Sequence, residues 1–323
     1  QMCIRDRVCD GKTVERGVLE GVRVAPGGET VLDLPYNRNL VKGEAFCNLY
    51  ATTREASLWA PAGHLVYKLQ LPAEGTGVYA ETTDLWSQQP LKVTEEGSSI
   101  LVTGEELQVL YDPAQGGLVS CKIEGKELFS QVKDRFYRAL TGIDEGQGDN
   151  SYGHDWKVAG LDTMKAQVES VHVTKAENCV LLEERLSYCE GKLTVTREYQ
   201  ITAKGMRITT RVVNGLDLET LPRIGQSFHL DKSFENVRWY GRGSQECYAD
   251  RKSAAFVGEY ASTVAEFHVP YVRPCECGGR EDVRWMEITD SQGWGLRVTG
   301  SAPFHFSALP WTVEQYDAAD YQD

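Results

Sequence analysis

The near absence of helical periodicity is the feature that most constrains the fold. Almost no stretch of ten residues spaces apolar side chains three and four positions apart, whereas short runs that alternate apolar and polar residues recur throughout. A (β/α)8 barrel takes about 250 residues and eight helices, so this sequence leaves no room for one. The chain is therefore predicted to be all-β.

Turn residues such as Gly27-Gly28, Asp112-Pro113 and Asn214-Gly215 separate the alternating runs, which is typical of antiparallel sandwiches. A length of 323 residues suggests two domains. The predicted strands are residues 18–24, 29–34, 45–52, 100–102, 107–111, 118–123, 168–174, 180–188, 193–201 and 206–213.

Charge and composition exclude several classes of partner. The formal charge of -13 is spread along the chain, which argues against nucleic acid, because phosphate binding needs clustered lysine and arginine. No apolar run approaches the roughly 20 residues that cross a bilayer, so no membrane partner is predicted. The nine cysteines are scattered and form no paired C-x-x-C framework, so we predict reduced thiols, no metal site and a cytoplasmic protein.

Both ends of the chain are predicted to be cut. Residues 1–7 (QMCIRDR) resemble one reading frame of a sequencing adapter and are left out of the fold prediction. The last residues stop without a turn or cap just after a segment that is predicted to be structured.

Residues 141–155 interrupt the strand pattern with four glycines among acidic and amide residues. We predict a long loop here, which is either a substrate-side loop or a passive surface loop.

Three ordered segments carry a resemblance to a known family. Residues 136–162 are similar to F-W-R-A-P-T-D-N-D-x-G followed by W-x-x-A-G-L-D, although Leu140, Gly142 and Ile143 depart from it. Residues 238–252 are similar to W-Y-G-R-G-P-x-E-N-Y-x-D-R, and residues 269–285 to P-Y-V-R-P-Q-E-N-G-x-R-x-D-V-R-W. These are motifs of the family 2 glycoside hydrolases that are β-galactosidases, so the chain resembles the C-terminal part of such an enzyme.

The resemblance implies a fold and a domain division. Residues 8–88 are expected to be most of an immunoglobulin-like β-sandwich. Residues 90–323 are expected to be the β-galactosidase small-chain domain, a large galactose-mutarotase-like supersandwich that is truncated at its C-terminus.

The resemblance also implies a supporting function. Retaining hydrolysis needs two carboxyl groups about 5–5.5 Å apart, and in the family both belong to a barrel that this chain lacks. We therefore predict no catalytic residue here, no cofactor, and any Mg²⁺ or Na⁺ only in the parent barrel. The expected partners are a galactoside such as lactose, the parent barrel and further copies in a homo-oligomer.

Two groups of site residues follow. Sugar contacts are predicted for Asp144, Gly146, Asn150 and Trp156, with local turn formation or core packing as the alternative. Structural roles are predicted for Arg138, Trp239, Gly241, Arg242, Glu246, Arg251, Glu276 and Arg280.

Two other functions stay open at this point. An aldose epimerase on the same sandwich would need a histidine acid and a glutamate base facing one sugar, and His154, His229, His268 and His305 are available. A freestanding carbohydrate-binding sandwich is the second alternative.

Overall fold

The computed structural model describes residues 2–19, 21–33, 43–73, 77, 79, 83–146 and 148–320, with side chains from residue 5 onward. Every strand pair in these ranges is antiparallel, and the strands form four sheets without a barrel. The prediction of an all-β fold is therefore confirmed.

The first sheet has four strands in the order β2-β1-β3-β4. They are β1 Met2–Cys9, β2 Lys12–Leu19, β3 Ala45–Thr52 and β4 Leu65–Pro72. Leaving residues 1–7 out of the fold was wrong, because β1 lies at the centre of this sheet and pairs with both β2 and β3. The adapter origin of those residues stays a prediction.

Two further sheets face each other and form the large sandwich. The six-stranded sheet, in the order β14-β9-β8-β7-β6-β5, consists of β5 Lys92–Glu96, β6 Ser99–Thr103, β7 Leu107–Asp112, β8 Gly117–Ile123, β9 Lys126–Arg135 and β14 Gly225–His229. The four-stranded sheet, in the order β10-β11-β12-β13, consists of β10 Gln167–Lys175, β11 Val180–Tyr188, β12 Leu193–Thr202 and β13 Gly205–Asn214. Alternate residues such as Val109, Leu182 and Ile201 point inward and form one shared core.

The last sheet has the order β16-β15-β17-β18. Its strands are β15 Asn236–Gly243, β16 Phe256–Thr263, β17 Arg280–Thr289 and β18 Gly295–Phe306. Its core is aromatic, with Trp239 fully buried among Tyr260, Phe267 and Phe306.

Four short α-helices, α1 Gly142–Glu145, α2 Tyr152–Val158, α3 Val264–Phe267 and α4 Val313–Ala318, complete the described fold together with two 3-10 helices at Pro113–Gln115 and Cys189–Gly191. In the part of the chain that the structure describes, no helix has the length and apolar character needed to span a bilayer.

Three sequence predictions about local structure need correction. The strand predicted at 18–24 overlaps β2 only at residues 18 and 19, and residues 21–24 form no strand. Residues 29–33 form no strand, because they find no pairing partner among the described residues. The predicted loop at 141–155 contains α1 and the start of α2, each begun by a hydroxyl cap from Thr141 and Ser151.

A buried ion cluster lies between the two sheets of the large sandwich. Arg197 on β12 pairs with Glu184 on β11 at 2.6 Å and with Asp134 on β9. Tyr111 and Tyr188 donate to these two carboxylates, each at 2.6 Å. Burial and the adjoining carboxylates raise the pKa of both phenols, so they remain protonated donors. The cluster satisfies charges that would otherwise be costly to bury.

The first sheet is tied to the last sheet by a second buried pair. Arg284 on β17 contacts Glu44 through two nitrogens, at 2.9 and 2.5 Å. Tyr240 donates to the same carboxylate at 2.8 Å. Gln70 on β4 bonds both the N–H and the C=O of Val257. The two parts of the chain are therefore joined by specific buried contacts.

One open edge of the large sandwich is formed by charged edge strands. β5 and β10 are the terminal strands of their sheets, and Lys175 on β10 pairs with Glu95 on β5 at 3.0 Å. The backbone N–H of Leu91 donates to the carbonyl of Glu177 at 3.0 Å. The two sheets are thus linked across this edge.

Candidate functional site

The three sequence segments at 136–162, 238–252 and 269–285 meet in space. We call their joint exposed face the three-segment surface. The first and third segments are joined by a backbone bond from Glu276 N to Ala139 O at 3.2 Å and by the ion pair between Arg273 and Glu145. These contacts bring loops that are more than a hundred residues apart into one surface.

Glu246 joins the second segment to the third. Its carboxylate accepts from the backbone N–H of Gly278 at 2.8 Å, from Arg251 at 2.5 Å and from the Tyr271 hydroxyl. Three donors on one carboxylate fix the loops rigidly. These contacts support a structural role for Glu246 and Arg251, which stays a prediction.

Asp144 lies at the base of α1 rather than on the open surface. It is 3% exposed, and its two oxygens accept from Arg138 at 2.7 and 3.1 Å and from the N–H and hydroxyl of Thr141, both at 2.9 Å. Together with the Thr141 side chain it forms a capping box. These contacts favour the turn-forming alternative for Asp144, and its sugar contact stays a prediction.

Trp156 is also buried, with 3% exposure, and its indole N–H donates to the carbonyl of Thr220 at 3.0 Å. One ring face is covered by Tyr152, whose ring is 6.1 Å away at an interplanar angle of 19°. Arg138 lies over the same indole at 5.8 Å. Trp156 is thus enclosed in this conformation. Tyr152, which is 44% exposed, presents its own aromatic ring at the surface.

Sequence reasoning missed Tyr152, although a local pattern points to it. Ser151 is a favoured helix-capping residue and Gly160 a favoured residue just after a helix. A helix between them places Tyr152 and Trp156 four residues apart on one face. The outer of these two rings is the one that can meet a ligand.

Gly146 and Asn150 lie in the connection between α1 and α2. Gly146 has a positive φ of 46°, and a Cβ on it would stand 3.1 Å from the Ser151 Cβ, so a side chain is disfavoured here. Asn150 is exposed, so its amide is free to face a ligand. Of the four residues predicted to contact sugar, Asn150 is the one whose side chain lies at the surface.

The remaining residues with predicted structural roles support the three-segment surface through buried contacts. The guanidinium of Arg280 lies 4.2 Å from the ring centre of Phe267 and 5.1 Å from that of Trp239, and burial lowers its pKa. A Cβ on Gly241 would stand 2.8 Å from the Cα of Val283, so only glycine allows β15 and β17 to approach this closely. Glu276 pairs with Arg223, which no sequence motif had marked.

Arg242 and Glu246 belong to separate ion pairs rather than to one network. Arg242 donates to Asp282 at 2.6 Å. Burial raises the pKa of Asp282, but the hydrogen bonds from Lys252 and Arg242 outweigh this and lower the pKa. This pair holds the second segment against β17.

Metal ligation is not a feature of the described residues. They contain no group of three or more histidine, cysteine or acidic side chains arranged to hold an ion. Cys277 is fully buried with its sulfur 4.0 Å from His268, and burial raises the pKa of its thiol. Such a thiol is a weak nucleophile and a weak ligand at neutral pH.

Two protein-family models match this chain. A family model described as β-galactosidase small chain matches residues 103–323, and a model described as β-galactosidase, domain 4 matches residues 3–74. Similar proteins are the β-galactosidases of Priestia megaterium, 29% identical over 313 residues, and Streptococcus thermophilus, 31% identical over 308 residues. Each alignment covers 93% of this chain and 29% of the relative. The chain thus spans less than a third of the length of these curated relatives.

Proposed function

The chain belongs to the β-galactosidase small-chain family, and on that premise we propose that it is the C-terminal portion of a retaining β-galactosidase. The parent would hydrolyse terminal β-D-galactosides such as lactose in the cytoplasm, as a homo-oligomer. Its catalytic carboxylates, and any Mg²⁺ or Na⁺, would belong to the barrel elsewhere in the parent. This chain would shape the rim of the sugar pocket and support assembly.

The observation that carries this proposal is the convergence of the three segments on one surface. Asp144 anchors the start of α1 through four hydrogen bonds, and Trp156 anchors α2 from the core. Between these two anchors lie Gly146, Gly148 and exposed Asn150. A segment fixed at both ends and glycine-rich between them is suited to move over a bound sugar and exclude water.

The purified chain is expected not to hydrolyse o-nitrophenyl galactoside. Retaining hydrolysis needs an acid and a nucleophile on opposite sides of one bond, and the described sheets contain no barrel to present such a pair. The measurement is release of o-nitrophenol over hours, compared with the S. thermophilus enzyme at equal molarity. Turnover that is lost on removal of a carboxylate in this chain would refute the proposal.

Tyr152→Ala is expected to weaken substrate binding in a whole enzyme. The enzyme is a chimera in which this chain replaces the matching region of the S. thermophilus β-galactosidase. Loss of one exposed aromatic contact is worth about 1 kcal/mol, so KM for lactose should rise about fivefold while kcat changes little.

The matched control is Tyr67→Ala. Tyr67 is 60% exposed on β4 in the first sheet and belongs to none of the three segments. An equal rise in KM for both variants, or no change for Tyr152→Ala, would count against a rim role for α2.

At His305 the geometry gives little support to an aldose-epimerase function. His305 is held by Glu281 at 2.9 Å, but its Nε2 atom is buried without a hydrogen-bond partner among the described residues. Tyr248 covers the imidazole, with ring centres 5.6 Å apart. The Nε2 atom is therefore not open to a sugar, although the side chain as a whole is 27% exposed.

A further inference from the structure

A cavity of about 560 Å³ lies at one end of the large sandwich, beside helix α4. Its volume falls within the range of small-molecule sites, roughly 300–1,000 Å³. Its buried lining includes Asp134, Tyr188 and Arg197 of the ion cluster, while Ala114 and Lys165 form part of its exposed rim. A solvent-connected space therefore reaches the buried polar cluster.

The charges around the cavity balance. Four cationic and four acidic side chains line it, so the lining has no net formal charge. Arg197 is paired with Asp134 and Glu184, and Arg135 is paired with Glu314 of α4 at 2.5 Å. Phosphorylated ligands are favoured by a surplus of cations, which this lining lacks. A neutral ligand fits it better.

The lining also combines hydrogen-bonding groups with ring surface. Asp162 is exposed and the side chain of Asp317 is 21% exposed, and a carboxylate offers about four lone-pair sites, so both can accept hydrogen bonds from a ligand. Tyr137 donates to Asp317 at 3.0 Å across the cavity wall. The half-buried side chains of Met164 and Val313 add apolar surface. Acceptors beside apolar side chains suit a molecule that carries hydroxyl groups on a compact ring.

We propose that this cavity binds a neutral sugar of one or two rings. The ligand would place hydroxyl groups on Asp162 and Asp317 and its apolar ring face against Met164 and Val313. The proposal does not depend on the rim role of the three-segment surface, because it uses the cavity beside α4 rather than Asn150 or Tyr152.

Methyl NMR on methionine tests the proposal on the chain itself. Met164 lines the cavity, whereas Met206 and Met286 pack in other cores, so one resonance reports on the site. Titration with galactose or lactose should shift the Met164 resonance saturably and leave the Met206 and Met286 resonances in place. The Met164→Leu variant assigns the peak. No shift of Met164 with either sugar would overturn the proposal.

Two tryptophan variants locate the binding. Ala114→Trp places a large ring at the cavity rim and should weaken binding at least about tenfold. Ala261→Trp, at an exposed position on β16, should leave it unchanged. Unshifted Met206 and Met286 resonances show that both variants fold.

Three outcomes would contradict a sugar site in the cavity. The first is undiminished binding by Ala114→Trp, and the second is an equal Met164 shift with inorganic phosphate. The third is loss of binding in Tyr152→Ala but not in Ala114→Trp, which would place the sugar on the three-segment surface instead. Failure of the cavity proposal would leave the chimera experiment unaffected, so the two proposals are tested separately.

Discussion

Replacing Arg197 by methionine is expected to lower the free energy of unfolding of the large sandwich by about 3–5 kcal/mol, because two carboxylates would lose their cation inside the core. The side chains of Asp134 and Glu184 are 2% and 0% exposed, so little water is available to replace the guanidinium. A loss of this size is a large part of the 5–15 kcal/mol that typically stabilises a domain. Guanidinium-induced unfolding, followed by far-ultraviolet circular dichroism, measures it.

Arg185→Met is the matched control for this experiment. Arg185 lies on the neighbouring strand and pairs with Glu169, but its side chain is 58% exposed, so its loss should cost less than about 1 kcal/mol. Adding Asp134→Asn and Glu184→Gln to Arg197→Met should recover part of the loss, because the unpaired charges are removed. Equal unfolding midpoints for the two single variants would show that the buried cluster does not stabilise the sandwich.

Arg284→Met is expected to uncouple the first sheet from the rest of the chain. Glu44 and Arg284 have side chains that are 7% and 8% exposed, and removing one member of such a pair costs roughly 3 kcal/mol. Because the pair joins two parts of the chain, the cost falls on their junction. Calorimetry should show a single unfolding transition in the unmodified chain and two separated transitions in the variant.

Arg16→Met controls for loss of an arginine within the first sheet. Arg16 pairs with Asp6 on the adjacent strand, and its side chain is 70% exposed. This variant should keep the single transition. Two transitions in the unmodified chain, or one in Arg284→Met, would contradict a coupling role for the Glu44–Arg284 pair.

Much of the fold follows from local sequence, because strand alternation is a local property. The runs predicted at 45–52 and 180–188 coincide with β3 and β11. Residues 29–33 of the run predicted at 29–34 form no strand, because alternation alone does not supply a partner strand. The helices at 142–145 and 152–158 were missed because each is too short to show a 3.6-residue period.

The site was less predictable, because burial and pairing depend on distant residues. Sequence similarity marked Asp144 and Trp156, but their enclosure by Arg138, Thr220 and Tyr152 appears only in three dimensions. Arg284 and Glu44 are 240 positions apart, and Arg197 and Asp134 are 63 apart. A single sequence contains no record of which distant charges meet.

The charged edge of the large sandwich bears on how the chain behaves when concentrated. An exposed, unpaired strand can recruit a strand from a neighbouring molecule and start fibre growth. Here β5 has the sequence KVTEE, and the Lys175–Glu95 pair spans the gap to β10. A foreign strand would have to displace that pair and meet the β5 charges, so fibrils should not nucleate from this side of the molecule.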